Sequence, residues 1–122
     1  MKKKILIVDD NGSYGLLLTK FLSYHGFLVR FESCPIKGLA AAADFIPDLA
    51  LVDFNMPELN GDELIDHLLG IPALQQLRCL CITGNPEAAF KKIAAVAPGC
   101  RVLDKEISLE NLLLEIKTLL NT

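Results

Sequence analysis

The chain has 122 residues, 52% apolar and 22% charged, with six Pro and eight Gly scattered along it, so it reads as one compact domain, residues 1–122. A domain of this length buries roughly two thirds of the surface its unfolded form would expose. The net charge of -3 offers no clustered basic surface, which argues against direct nucleic-acid contact. Lys2 to Lys4 precede only four apolar residues before two aspartates, too few for a signal peptide or a membrane span, so a soluble cytoplasmic protein is expected.

Strand and helix signals then alternate along the chain. "KILIVDD" (3 to 10) is a short apolar strand closing in acid. "SYGLLLTKFLSYHG" (13 to 26) repeats apolar residues at helical spacing, with Leu17, Phe21 and Tyr24 expected on the buried stripe and Gly26 as the stop. "FLVRFES" (27 to 33) is a strand, "PIKGLAAAADF" (35 to 45) a small-residue helix, and Pro47 separates it from the strand "DLALVD" (48 to 53). A third helix (61 to 70), a fourth strand (77 to 84) and a fourth helix (86 to 97) with Pro86 in its first turn follow. The fifth strand (100 to 105) leads to a last helix (108 to 120) with Ser108 as its N-cap.

Five strands separated by helices imply a parallel sheet, because parallel neighbours need crossover connections, and such sheets are covered on both faces. The expected fold class is therefore α/β, a doubly wound five-stranded parallel sheet with helices on both faces. Cys34, Cys79, Cys81 and Cys100 show no C-x-x-C pairing, and His25 and His67 stand alone, so all six are expected to be structural, with the thiols free in a reducing compartment. "NGSYG" after the first strand lacks the G-x-G-x-x-G dinucleotide fingerprint.

In doubly wound sheets ligands bind beyond the carboxyl ends of the strands, where the strand order reverses. Those ends carry Asp9 and Asp10 (strand one), Asp53 (strand three), Thr83 with Gly84 (strand four) and Lys105 (strand five). Taken alone, each has an ordinary explanation: Asp9 or Asp10 as the cap of the first helix, Thr83 as a cap ahead of Pro86, Lys105 as a solvated strand end. Together they fall at one edge of the sheet, where three carboxylates would repel one another unless they share a cation. A hard divalent ion such as Mg²⁺ suits them, with Asp10 and Asp53 as direct ligands, the backbone carbonyl of Asn55 as a third, and Asp9 acting mainly through water. Lys105 and the Thr83 hydroxyl would complete a pocket for a tetrahedral anion beside a nucleophilic carboxylate.

This pattern resembles the receiver domain of two-component response regulators along the whole chain: Asp9 and Asp10, Asp53 within "DFNMP" and Gly61, Thr83 with Gly84, and Lys105. The resemblance implies the flavodoxin-like strand order 2-1-3-4-5 and Mg²⁺-dependent transfer of a phosphoryl group to Asp53. The donor would be a phosphohistidine of a sensor histidine kinase or a phosphotransfer protein, with a downstream output domain or protein as the second partner. It implies a phosphoacceptor with self-catalysed uptake and hydrolysis, not a conventional enzyme, with Asn55 and Asn85 at positions that tune attack by water. An alternative is a receiver-like interaction module that works without phosphorylation. A phosphatase of the haloacid-dehalogenase type would want Asp-x-Asp after the first strand, which this chain lacks.

Two positions depart from the family pattern. Val102 stands where a Tyr or Phe is usual, three residues before Lys105, and Glu106 stands where Pro usually follows the Lys. A Val cannot swing between exposed and buried positions as a ring can, so the signal is expected to run through Thr83 and the loop into the fourth helix. A cis bond before a non-proline residue costs about 2.5–4 kcal/mol, so the Lys105–Glu106 bond is expected to be trans, with Glu106 facing solvent.

Overall fold

A computed structural model describes residues 1–122. Five strands, β1 (Lys4–Val8), β2 (Leu28–Glu32), β3 (Leu49–Asp53), β4 (Arg78–Thr83) and β5 (Arg101–Asp104), form one parallel sheet in the order β2-β1-β3-β4-β5. Helices α1 (Gly12–Tyr24), α2 (Pro35–Phe45), α3 (Gly61–Leu69), α4 (Pro86–Val96) and α5 (Leu109–Leu120) supply the crossovers. A single turn of 3₁₀ helix, Pro72–Leu74, lies ahead of β4 and has no counterpart in the sequence reading.

The period-2 alternation of strand side chains divides the core in two. On one face Ile5, Ile7, Leu49, Leu51, Leu80 and Ile82 pack against α1 and α5 through Leu18, Leu22, Leu112 and Ile116. On the other, Leu6, Val8, Ala50, Val52, Cys79 and Cys81 meet α2, α3 and α4. The small residues Ala41 and Ala42 bring α2 close, and Gly38 brings its backbone against the Val8 side chain. Burying one Leu or Ile in either layer contributes about 1.5–3 kcal/mol. Strands β1, β3 and β4 are therefore apolar on both faces, whereas β2 and β5, at the edges, are only partly buried.

The expected stripe of α1 is corrected. Its buried face is Gly15, Leu18 and Leu22, while Leu17 and Tyr24 are exposed and Phe21 is half-buried. Gly15 lets α1 pack closely on this face, because a Cβ there would overlap the Phe31 ring of β2 unless that ring moved. The other helix boundaries follow local signals. Pro86 opens α4, and Ser108 caps α5 by accepting from Asn111 N–H at 3.2 Å. Helix α2 stops as Ile46 turns into the left-handed region (φ 51°) ahead of Pro47. No helix is long and apolar enough to cross a membrane.

Candidate functional site

The strand order reverses between β1 and β3, and their register places Val8 beside Val52, so the next residues, Asp9 and Asp53, emerge side by side at the carboxyl edge. Beyond β3, β4 contributes Thr83 and the end of β5 contributes Lys105, whose backbone N–H donates to the Thr83 carbonyl at 2.9 Å. All the strand-end residues singled out in the sequence thus meet at one edge, except that Asp10 and Asn55 are exposed on its rim while Asp9, Asp53 and Thr83 are buried.

Asp9 is the innermost carboxylate. Its Oδ1 accepts from Asn11 N–H at 2.8 Å, and Asn11 in turn caps α1 by accepting from Tyr14 N–H at 3.1 Å. Neither aspartate caps the helix itself. Lys105 Nζ lies 3.1 Å from Asp9 Oδ2 and 3.5 Å from Asp53 Oδ1, bridging the two acids. The ammonium also donates to Asp9 Oδ1 at 3.5 Å, so both oxygens of Asp9 face it. Lys105 therefore stands closer to Asp9 than to Asp53.

Electrostatics follow from this crowding. Burial, then the Asp9 charge, raise the Asp53 pKa to about 6; Lys105 opposes the shift and Asp10 adds to it. Burial alone would lower Lys105, but its contacts with Asp9 and Asp53 outweigh that and hold it above its ordinary value. The Thr83 hydroxyl accepts from Asn85 N–H at 3.1 Å, and Asn85 caps α4 through Ala88 N–H at 3.3 Å. Thr83 is thus one link away from the α4 cap and is not the cap itself.

Oxygens of Asp9, Asp10 and Asp53 lie within 4.8 Å of one another. Three carboxylates against one ammonium leave an all-oxygen donor set with excess negative charge, which fits a hard divalent cation of the Mg²⁺ class. Asn55 follows in the turn after β3, two residues beyond Asp53. The Lys105–Glu106 bond is trans and Glu106 is exposed, as expected. The turn is closed instead by Asp104, whose Oδ1 accepts from Glu106 N–H at 2.9 Å and whose carbonyl accepts from Ile107 N–H at 3.0 Å. Val102 is half-buried against the core on the α3 and α4 side.

The cysteines behave as structural residues. Burial pushes the thiols of Cys79 and Cys100 up to about 12 and raises that of Cys81 as well, so these three carry no thiolate at neutral pH. One neighbour of the site went unrecognised in the sequence: Tyr14, whose ring centroid lies 5.2 Å from Lys105 Nζ. The available signal was an aromatic residue in the first helical turn after the acidic pair.

Comparison with known proteins agrees with this geometry. The family model described as the response regulator receiver domain matches residues 5–117. The virulence-factor positive transcription regulator BvgA of Bordetella pertussis is 36% identical over 95 residues, 75% of this chain, and the response regulator MprA of Mycobacterium tuberculosis is 30% identical over 121 residues, 98% of this chain. The chain spans about half the length of these curated relatives, 44% of the first and 51% of the second. Among solved structures, a CheY-like receiver domain protein from Methanospirillum hungatei superposes with a TM-score of 0.88 at 24% identity, over 99% of this chain and 95% of that one. The signal receiver domain of an HD domain-containing protein from Pseudomonas fluorescens gives 0.91 at 21% identity, over 99% and 96%. The structural likenesses speak for the fold and the family match for the lineage: the chain belongs to the response regulator receiver domain family.

Proposed function

We propose that this receiver domain takes a phosphoryl group onto Asp53 from a phosphohistidine of a sensor kinase or phosphotransfer protein, in the cytoplasm, and passes the signal to an output domain or protein. The observation that carries the reading is the buried Asp53 carboxylate, paired with Lys105 at 3.5 Å and flanked by Asp9, whose Oδ2 lies 3.1 Å from the same ammonium. A pKa near 6 leaves Asp53 mostly ionised at neutral pH yet more basic than an ordinary carboxylate, and so a better nucleophile.

In the transfer, an Asp53 oxygen forms a bond to phosphorus as the phosphorus–nitrogen bond of the donor breaks, and the electron pair leaves on the imidazole nitrogen. Lys105 offers positive charge to the arriving phosphoryl oxygens, and the Thr83 hydroxyl offers a hydrogen bond. Asp10, Asp53 and the Asn55 carbonyl would hold Mg²⁺, with Asp9 acting mainly through water; bound there, the ion would neutralise charge on the phosphoryl oxygens. Gly84 is exposed, with no atom near its missing Cβ, which leaves space beside the phosphoryl group. Water later hydrolyses the acylphosphate, with Asn55 and Asn85 flanking its approach. The domain is a phosphoacceptor and not a conventional enzyme.

Intact-protein mass spectrometry after incubation with a small acylphosphate donor and Mg²⁺ tests the reading. A gain of one phosphoryl group is expected in the parent chain, none in Asp53→Asn, and none after chelation of the metal. Equal modification of Asp53→Asn would show that another residue is the acceptor, and no modification of the parent would favour a module that works without phosphorylation.

Signal propagation should start at Thr83. Its hydroxyl holds Asn85 N–H, and Asn85 caps α4, so drawing the hydroxyl toward a phosphoryl group breaks the link to the α4 cap. Val102, short and stiff, has no second position to occupy. Structures with and without a phosphoryl mimic at Asp53 are expected to differ at Thr83 and the residues that follow it. Displacement of Val102 with Thr83 stationary would reverse the assignment.

A further inference from the structure

We propose that Tyr14 is a positioning residue for phosphoryl transfer: the face of its ring holds the Lys105 ammonium against Asp9 and Asp53. The proposal rests on the reading of Asp53 as phosphoacceptor. Its starting point is that Lys105 sits just past the end of β5 on a four-carbon stem, among the side chains with most rotamer freedom to lose. The backbone contacts around it, Lys105 N–H to the Thr83 carbonyl and the Asp104-closed turn at Glu106, fix the main chain but not the ammonium. Two carboxylates attract that ammonium from one side, at 3.1 and 3.5 Å. The Tyr14 ring lies on it at 5.2 Å, within the range at which an aromatic face attracts a cation.

The ring is itself held by the acid that Lys105 binds. Asp9 Oδ1 accepts from Asn11 N–H, and the Asn11 side chain accepts from Tyr14 N–H, so the first turn of α1 is fastened to Asp9 before it presents Tyr14. Asp9, Asn11, Tyr14 and Lys105 therefore form a closed circuit of contacts. Gly15, on the buried face of α1 next to Tyr14, packs closely against the Phe31 ring. Burial, followed by the Asp9 and Asp53 charges, pushes the Tyr14 hydroxyl up to about 12, so the ring stays neutral at physiological pH and its interaction with the ammonium persists. Without the ring, the stem is free to swing outward, and the ammonium reaches the phosphoryl oxygens in a smaller fraction of encounters.

Two readouts test this in the full chain with Tyr14→Leu, which keeps apolar bulk but removes the ring, and Tyr14→Phe, which keeps the ring but removes the hydroxyl. First, without donor or metal, the Lys105 Hε resonances are expected to be shifted upfield by the ring in the parent and in Tyr14→Phe, and to lose that shift in Tyr14→Leu. Second, the rate of phosphoryl uptake from a small acylphosphate with Mg²⁺ is expected to fall about five- to tenfold in Tyr14→Leu and to recover to within about twofold of the parent in Tyr14→Phe. Tyr14→Met replaces Tyr14→Leu if the latter does not fold. An unchanged Lys105 resonance in Tyr14→Leu, or a lost shift with an unchanged rate, overturns the proposal. Absence of uptake by the parent chain overturns the phosphoacceptor reading and the positioning role with it, while the resonance still reports whether the ring contacts Lys105.

Discussion

Replacing Asp53 by Asn is expected to stabilise the metal-free protein by about 2 kcal/mol at pH 7. The folded-state pKa of Asp53 is about 6, raised above the ordinary carboxylate value chiefly by burial and by the Asp9 charge. Between about pH 4 and pH 6 the folded protein keeps a proton that the unfolded chain has already released, so stability falls as the pH rises through that window. Above it the full cost of burying the charge is present. A shift of two units corresponds to about 2.7 kcal/mol, and solvent at the mouth of the site trims it. Asparagine has nearly the same shape and no charge at any pH, and Lys105 keeps its partner Asp9 at 3.1 Å. The advantage of the variant should therefore be largest above pH 6 and vanish near pH 4. Urea denaturation of both proteins in a chelator, from pH 4 to pH 8, measures it; a pH-independent gap, or no gain at pH 7, would contradict the assignment. Added Mg²⁺ at ten times its dissociation constant should then restore about 1.4 kcal/mol to the parent and markedly less to Asp53→Asn.

The same residues show why so much of the fold was legible in the sequence. Strands β1, β3 and β4 are short apolar runs closed by polar residues, and two of the helices carry a start signal that can be read directly, Pro86 in the first turn of α4 and Ser108 ahead of α5. Both signals are local, and both survive folding because burial and capping reward the same arrangement. Helix rotation is not local. The run from Gly15 to Tyr24 offers two apolar stripes, one through Leu17, Phe21 and Tyr24 and another through Gly15, Leu18 and Leu22, and periodicity cannot rank them. The choice is settled by packing on β2, where the Phe31 ring lies over position 15 and the small Gly15 lets the helix come close.

The site was legible as a set of residues and less so as an arrangement. Strand ends in a doubly wound sheet must converge, which is why Asp9, Asp53, Thr83 and Lys105 could be grouped before any contact was known. Which of the adjacent acids turns inward depends on how the chain leaves β1. Asp9, whose N–H still donates to the Glu32 carbonyl of β2, is buried, and Asp10, at the bend that follows, is on the rim. The closer approach of Lys105 to Asp9 than to Asp53 follows from that choice, and so does the place of Tyr14, whose helix is fastened to Asp9 through Asn11. The Lys105–Asp9 contact links residues 96 positions apart and leaves no pattern in a local window of sequence.

A methyl group added at Gly61 is expected to damage both stability and phosphoryl uptake. Gly61 is the first residue of α3, and its N–H donates to the Phe54 carbonyl at 2.7 Å, drawing the helix start onto the end of β3. A Cβ at this position would lie 2.8 Å from the Asp53 carbonyl oxygen and 2.9 Å from Phe54 Cα. Both are backbone atoms, so no side-chain rotation relieves the overlap; either α3 backs away from the sheet or the chain at Asp53 shifts. Overpacking of this kind costs roughly 1–3 kcal/mol. The functional loss should be larger in proportion, because misplacing a reacting group by about 1 Å can cost on the order of a hundredfold in rate. Gly12→Ala is the control: it too opens a helix, α1, but no atom lies within 4 Å of its added Cβ, and alanine in a helix is favoured by about 0.5–1 kcal/mol over glycine. Urea denaturation should therefore place Gly61→Ala below the parent and Gly12→Ala at or above it, with phosphoryl uptake at Asp53 slowed only in the former. Equal midpoints and equal uptake rates for the two variants would mean that the β3–α3 junction yields more readily than its backbone contacts imply.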